Sequence, residues 1–421
     1  MLPQSSSPLL KGTKAIKSLK TTKMKVTKKN SRIIYPLAVY VIWHPNFKAG
    51  KVIANELYST FCRDTNKPLE RGLGIPVFFR YLQTSNSDMP IKIEKNNASK
   101  NALILLIDYE IFIDLGFRKY IEELTKLIDK DTRIFPVALC KEAAEIGCGI
   151  SKKQFIKAFK GDTPVNRSID YTKKTIKTSV LNDCARLMVN MQPSWEDKEE
   201  DRTPSPVKLF LSHAKKDGLD IVKRFKYFVL NELKLDVFFD AIDIADGYDF
   251  DKQIKTNIIN SAILVFLTDA YSSREWCRIE ALIAKRHKCP LVLIHCIKHG
   301  EVRSFPYLGN IPTITIPSEK VEEYHKVTNL ILLQVINNKY QNELLKGFQE
   351  KYLSKKAIYE RLASPPELLN YIDIYKLKKQ TKSKVIVLYP EPPLGIEELE
   401  LLNEIDDTII YLTPIQISSN I

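Results

Sequence analysis

Trp276 and Glu280 stand four residues apart in the run Ser272-Ser-Arg-Glu-Trp-Cys-Arg-Ile-Glu280. The apolar spacing predicts a helix over Glu275 to Lys288, which puts the two side chains on one face, one turn apart. An indole there can wall the ring of a base. A carboxylate beneath it can stabilise the positive charge that builds on a sugar as its bond to that base breaks, because the transition state resembles an oxocarbenium ion. Ser212 ends a predicted strand, where its hydroxyl can donate to a phosphate or ribose, or cap a following helix. His213 follows it; such a ring can titrate near neutrality, but no metal constellation surrounds it and a loop histidine also reads as simply solvated. Asp240, Asp243 and Asp246 with Gly247 form an acidic loop that reads by itself as a hydrated turn. Cys277 adjoins Trp276, yet no histidine is placed in the sequence to activate it, so core packing is the plainer reading.

These residues need a frame. From Val207 the pattern predicts strand Val207 to Ser212, helix about 217 to 232, strand Leu235 to Phe239, helix about 250 to 261 and strand Ile263 to Thr268. Then follow the helix carrying Glu280, strand Pro290 to Cys296, a short strand Pro312 to Ile316 and a long helix from about Val321. Alternating β and α with continuous apolar strands means a parallel sheet covered on both faces. In such a sheet, ligands bind beyond the carboxyl ends of the strands at the switch point, where Ser212, Asp240 and Glu280 would converge.

Three blocks carry a resemblance: Leu209-Phe-Leu-Ser-His213, Val237-Phe-Phe-Asp-Ala-Ile-Asp-Ile-Ala-Asp-Gly247, and the S-x-x-W-C-x-x-E run ending at Glu280. In order and spacing this stretch resembles a TIR (Toll/interleukin-1 receptor) domain of bacterial type, and Arg303-Ser-Phe-Pro306 with Ile311-Pro312 is similar to a late box of that family. The resemblance covers about a third of the chain. It implies an NAD+ hydrolase (NAD+ nucleosidase) that cleaves the nicotinamide-ribose bond, with Glu280 as the catalytic carboxylate and NAD+ as substrate rather than resident cofactor. Trp276, Ser212, Asp240 and Phe210 are the implied substrate-contact positions, although Phe210 reads as core. Asp243, Asp246 and Gly247 would belong to a loop that makes self-association contacts. Activation by TIR-TIR assembly, a role in antiphage defence or cell-death signalling, and another defence or signalling protein as partner complete what the family implies.

The rest of the chain follows the same logic. Leu37 to Trp43, Ile75 to Phe79, Leu103 to Ile107 and Arg133 to Leu139 read as buried strands, with helices at Lys51 to Arg63, Arg118 to Ile128 and about 166 to 192. This unit also resembles a TIR domain, degenerate: Tyr40-Val-Ile-Trp-His44 replaces the serine-containing box, no W-C-x-x-E follows, and a helix is missing between Phe79 and Asn101. Glu122 and Glu123 fall near the equivalent of the glutamate helix, but no activity is expected there. The fold class is therefore α/β, with two flavodoxin-like, doubly wound domains. The divisions are a basic tail 1–33, the degenerate domain 34–192, a charged, proline-containing linker 193–206, the TIR domain 207–350, and a C-terminal α/β segment 351–421. One βαβ unit cannot bury both its faces, so that segment is expected to pack on the N-terminal domain and extend its sheet.

Bulk properties set the bounds. The chain has 421 residues, 44% hydrophobic and 27% charged, which fits two or three ordinary globular domains. Its net charge of +14 is largely local: residues 1 to 32 hold eight lysines and one arginine and no acid. Such a tail reads as a solvated extension, and contact with nucleic acid or anionic lipid is a secondary reading. No membrane span and no secretory leader is read, and seven scattered cysteines fit a reducing cytoplasmic setting better than a disulfide framework or zinc site. Two rivals to the hydrolase stay open: a non-enzymatic TIR scaffold for homotypic contacts, and a cyclase making a cyclic ADP-ribose-type signal at the same carboxylate.

Overall fold

A computed structural model describes residues 34–68, 72–84, 87–161, 163–190, 205–233, 236–238, 250–301, 303–316, 321–353, 357–381 and 384–419. The first unit comprises β1 (Tyr35–Ile42), α1 (Lys48–Phe61), β2 (Val77–Arg80), a hairpin of β3 (Gln83–Thr84) and β4 (Ser87–Pro90), β5 (Ala98–Ile107), α2 (Tyr109–Ile113), α3 (Leu115–Thr125), β6 (Thr132–Ala138), β7 (Ile156–Lys157) and α4 (Ile169–Val189). Its five-stranded sheet is parallel in the order β2-β1-β5-β6-β7. Strand side chains alternate between faces. Leu37, Val39 and Val41 therefore meet α1 and α4 on one side, while Ala38, Tyr40 and Ile42 meet α3 on the other. Among the described residues between β2 and β5 the only helical element is a single 3-10 turn, Lys95–Asn97, where a full helix was expected to be missing.

The second unit has β8 (Lys208–His213), α5 (Leu219–Phe228) running into a π-turn, β9 (Asp236–Phe238), α6 (Phe250–Ile259), β10 (Ala262–Leu267), α7 (Glu275–Arg286), β11 (Leu291–His295), β12 (Thr313–Thr315) and α8 (Val321–Tyr352). Its parallel sheet runs β12-β11-β10-β8-β9. Reversed, and counted within its own unit, this is the order 2-1-3-4-5, the same order as the first sheet. Both are doubly wound α/β sheets with their switch point between the first and third strands.

The 32 residues of α8 span about 48 Å. One stretch, Val327 to Ile336, covers the second sheet, and α4 of the first unit packs against the same helix. The two sheets are thus separate while their core is continuous through α4 and α8. The far end of α8 carries Leu345, and Leu353 just beyond it, into a third cluster. A helix serving three neighbours is apolar on several sides instead of along one stripe.

That third cluster corrects the expectation for the C-terminus. The segment does not extend the N-terminal sheet; β13 (Ile358–Arg361), β14 (Val385–Leu388) and β15 (Ile410–Leu412) form their own parallel sheet, with α9 (Leu368–Thr381), α10 (Ile396–Ile405) and α11 (Pro414–Ser419). One face holds Val385, Val387 and Tyr411 with Ile374 of α9 and Leu402 of α10. The other holds Ile386 and Leu388 under α8 and Ile417 of α11. Neither β13 nor α9 was read from the sequence. They supply the missing strand and helix, so the segment needs no foreign sheet. Its ion pairs run to the end of α7: Lys285 with Glu367 at 2.9 Å, Arg286 with Asp373 at 3.8 Å, and Lys288 with Glu360.

Candidate active site

Strand β8 delivers Ser212 to the carboxyl end of the second sheet, beside β10, with Ser212 in register with Val265. Phe210 lies two residues earlier and points to the same side of the sheet. It is fully buried in the cluster under α6 and α7 and does not line the cleft. The expectation that Phe210 contacts substrate is therefore corrected: alternation brings it to the correct face but one strand repeat too deep, where it supports Ser212 from below.

Helix α7 brings Glu280 over this strand end. The carboxylate is 6% exposed, and the Ser212 hydroxyl donates to its Oε2 at 2.5 Å. Ser212 is in turn 2.7 Å from the hydroxyl of Tyr271, which also lies 3.1 Å from the Cys277 carbonyl. Burial first, and then the negative charge of Glu280, hold the Tyr271 phenol well above its ordinary range, so it stays protonated. Sequence reasoning missed Tyr271; its position six residues before Cys277, in the loop that opens the tryptophan motif, was the available signal.

Glu280 lies at the base of a cleft of about 620 Å³ lined by His213, Lys215, Lys216, Arg274, Trp276 and Cys277, with Ile254 of α6 opposite. Trp276 is 43% exposed and forms a wall one helical turn from the carboxylate. His213 is buried instead of solvated, with Nδ1 3.1 Å from the Leu211 carbonyl. The Cys277 thiol donates to the His213 carbonyl at 3.4 Å and packs in the core, as expected of it. Asp240, Asp243, Asp246 and Gly247 lie outside the described residues.

Around the cleft the strand-end loops are tied to one another. Asp217 accepts from the Thr268 hydroxyl at 2.7 Å and the Ala270 amide at 2.9 Å, and Asp269 accepts from the amides of Lys298, His299 and Gly300. Ser272 donates to Glu301. These ties join the loops that follow β8, β10 and β11 to one another.

At the end of β1 in the first unit the two faces of the sheet carry different residues. Trp43, just past β1, stacks on Tyr81 with ring centroids 4.4 Å apart and planes 6° from parallel, and it is buried. Gly50 of α1 permits this, since a Cβ there would stand 2.2 Å from the indole. His44 follows, 3.4 Å from Asp114. The indole lies on the α1 face of the sheet; on the α3 face, which matches the cleft side of the second unit, His44 packs against Phe117 and Asp114 where the second unit pairs Ser212 with Glu280.

Compared with known proteins, residues 209–327 match the family described as TIR domain. This stretch of the second unit is a TIR domain. No curated protein matches the chain. Twenty-one chains of solved structures match. Among them are the TIR domains of the activated Roq1 resistosome, described as directly recognizing the pathogen effector XopQ. The match has 15% sequence identity and a TM-score of 0.20, and covers 31% of this chain and 84% of that one. Among the described residues no helix is long and apolar enough to cross a membrane.

Proposed function

We propose that the second unit is an NAD+ glycohydrolase that cleaves the bond between nicotinamide and ribose. The observation that carries this reading is the buried carboxylate of Glu280, held by Ser212 at 2.5 Å at the base of a cleft walled by Trp276. Nicotinamide leaves as a neutral base because the pyridinium is already cationic, so no acid is required. What the reaction needs is an anion placed to meet the positive charge that develops on the ribose. Lys215, Lys216 and Arg274 along the same cleft suit the pyrophosphate of a dinucleotide.

Assembly through TIR-TIR contacts activates the enzyme in this proposal, in a cytoplasmic defence or cell-death pathway of bacterial type. The first unit serves as a degenerate TIR-like docking domain. Its strand order, shared with the second unit, and the pairing of His44 with Asp114 where the second unit has Ser212 and Glu280 support that role over a second catalytic centre.

The test incubates the full chain with NAD+, with and without a crowding agent, and compares wild type with Glu280→Ala and Glu280→Gln by product chromatography. Nicotinamide release by wild type alone supports the reading, and the accompanying product, ADP-ribose or a cyclic form, tells hydrolase from cyclase. If assembled wild type releases none, the non-enzymatic scaffold replaces the hydrolase.

A further inference from the structure

Ser212 stands between two partners, Glu280 Oε2 at 2.5 Å and the Tyr271 hydroxyl at 2.7 Å. A serine hydroxyl has one hydrogen, and an ionised carboxylate can only accept. The Ser212 hydrogen is therefore committed to Glu280, and in the contact between Ser212 and Tyr271 the donor must be the phenol. Tyr271 has a second acceptor in reach, the Cys277 carbonyl, but at 3.1 Å that contact is the longer one. The carbonyl also lies within α7, where helical pairing already supplies a donor. The order of donation is then Tyr271 to Ser212 to Glu280. The phenol is fully buried in the apolar cluster beneath α7, so its hydroxyl is held by packing on every side.

We propose that Tyr271 is a positioning residue for Glu280: by donating to Ser212 it turns the serine hydrogen onto Oε2, so that the carboxylate is oriented from the protein interior before any substrate arrives. Each donor in such a chain polarises the next. Loss of the phenol hydroxyl leaves Ser212 free to rotate and weakens the bond that holds the carboxylate in its charged form. The kinetic side of this inference rests on the glycohydrolase reading; the orientation of Glu280 does not.

Full-length wild type, Tyr271→Phe, Ser212→Ala and the double variant are compared by two measurements. Carboxylate titration is followed by NMR of protein carrying side-chain carbon-13 glutamate, with Glu280→Gln identifying the signal, and NAD+ cleavage is followed as a function of pH. Tyr271→Phe is expected to move the Glu280 titration to higher pH, to lower kcat about tenfold with KM little changed, and to move the acid limb of the rate profile the same way. In the Ser212→Ala background the same change is expected to do nothing more, because Tyr271 acts through Ser212. Equal effects in both backgrounds, or an unmoved titration in folded Tyr271→Phe, would overturn the proposal. If Tyr271→Phe does not fold, 3-fluorotyrosine at position 271, a stronger donor of nearly the same shape, replaces it. A shift to lower pH then supports the inference and no shift overturns it. If wild type does not cleave NAD+, the enzymatic reading fails while the titration still decides the role of Tyr271.

Discussion

The Ser212 hydroxyl and Glu280 Oε2 meet at 2.5 Å across 68 residues of sequence, joining the end of β8 to the middle of α7. Hydrogen bonds to charged groups contribute more than neutral ones, about 1.5–3 kcal/mol each. Ser212→Ala is therefore expected to lower kcat for NAD+ cleavage by roughly 10- to 100-fold and to lower the melting temperature by a few degrees. Initial rates and calorimetry check both, and an unaltered rate would mean that Ser212 does not support the carboxylate.

Trp276 is a half-exposed wall and not part of the core, so its loss should affect binding more than folding. Trp276→Ala is expected to raise KM about 5- to 20-fold with a smaller change in kcat, the pattern left when binding common to ground and transition state is removed. Trp276→Phe should recover part of the loss. A large fall in kcat at unchanged KM would contradict this role.

The ion pair of Lys288 and Glu360 ties the loop just after α7 to β13. Both side chains keep partial solvent access, 33% and 24%, so the pair is worth only about 0.5–1 kcal/mol. Lys288→Glu and Glu360→Lys should each lower thermal stability, and the exchanged pair should regain most of it. Melting curves at low and high salt test this; the single-variant losses shrink as salt screens the repulsion.

Asp108, just past β5 in the first unit, is buried, and that burial raises its carboxyl from the ordinary 3.8 to about 6, against the amide of Ile111 and the nearby His44. Between those two pH values the folded chain binds more protons than the unfolded chain. Stability relative to a neutral side chain is therefore intact below about pH 4 and is lost as pH rises through about 6. Asp108→Asn can still cap α2, and it is expected to stabilise the protein by about 1–3 kcal/mol above pH 6.5 and by nothing near pH 4. Denaturant titrations at the two pH values give the comparison, and a gain independent of pH would assign the effect to something other than ionisation.

Gly50 makes room for the Trp43 indole against α1. Gly50→Ala would force a methyl group into Trp43 and is expected to cost about 1–3 kcal/mol. The melting temperature checks this, with tryptophan fluorescence reporting whether the indole is displaced.

How much of this was legible in the sequence differs from element to element. The one-turn spacing of Trp276 and Glu280 is a local property, since helical period alone puts them on one face, and α7 carries them as read. Strands β1, β5, β8 and β10 were equally visible, because a strand buried on both faces is a continuous apolar run. Phe210 could be read two ways, as core from its type and as a substrate contact from the resemblance, and Tyr271 was not read at all. Whether an apolar residue touches a cleft or lies beneath it depends on strand depth, and whether a tyrosine joins a polar network depends on which distant hydroxyl packs against it.

The C-terminus shows the same division. Its strands β14 and β15 were apparent from local pattern, whereas β13 and α9 are less regular and partly exposed, and periodicity did not separate them from the end of α8. By itself the sequence determined the two doubly wound units, the TIR motif and the glutamate on its helix, because these rest on period and spacing within short windows. Only the tertiary structure decided that α8 would cover three neighbours, that the C-terminal strands would form their own sheet against α7 and α8, and that Tyr271 would join Ser212 and Glu280. Those outcomes depend on which apolar faces and polar groups remain unpaired once local structure has formed, and that is a property of the whole chain.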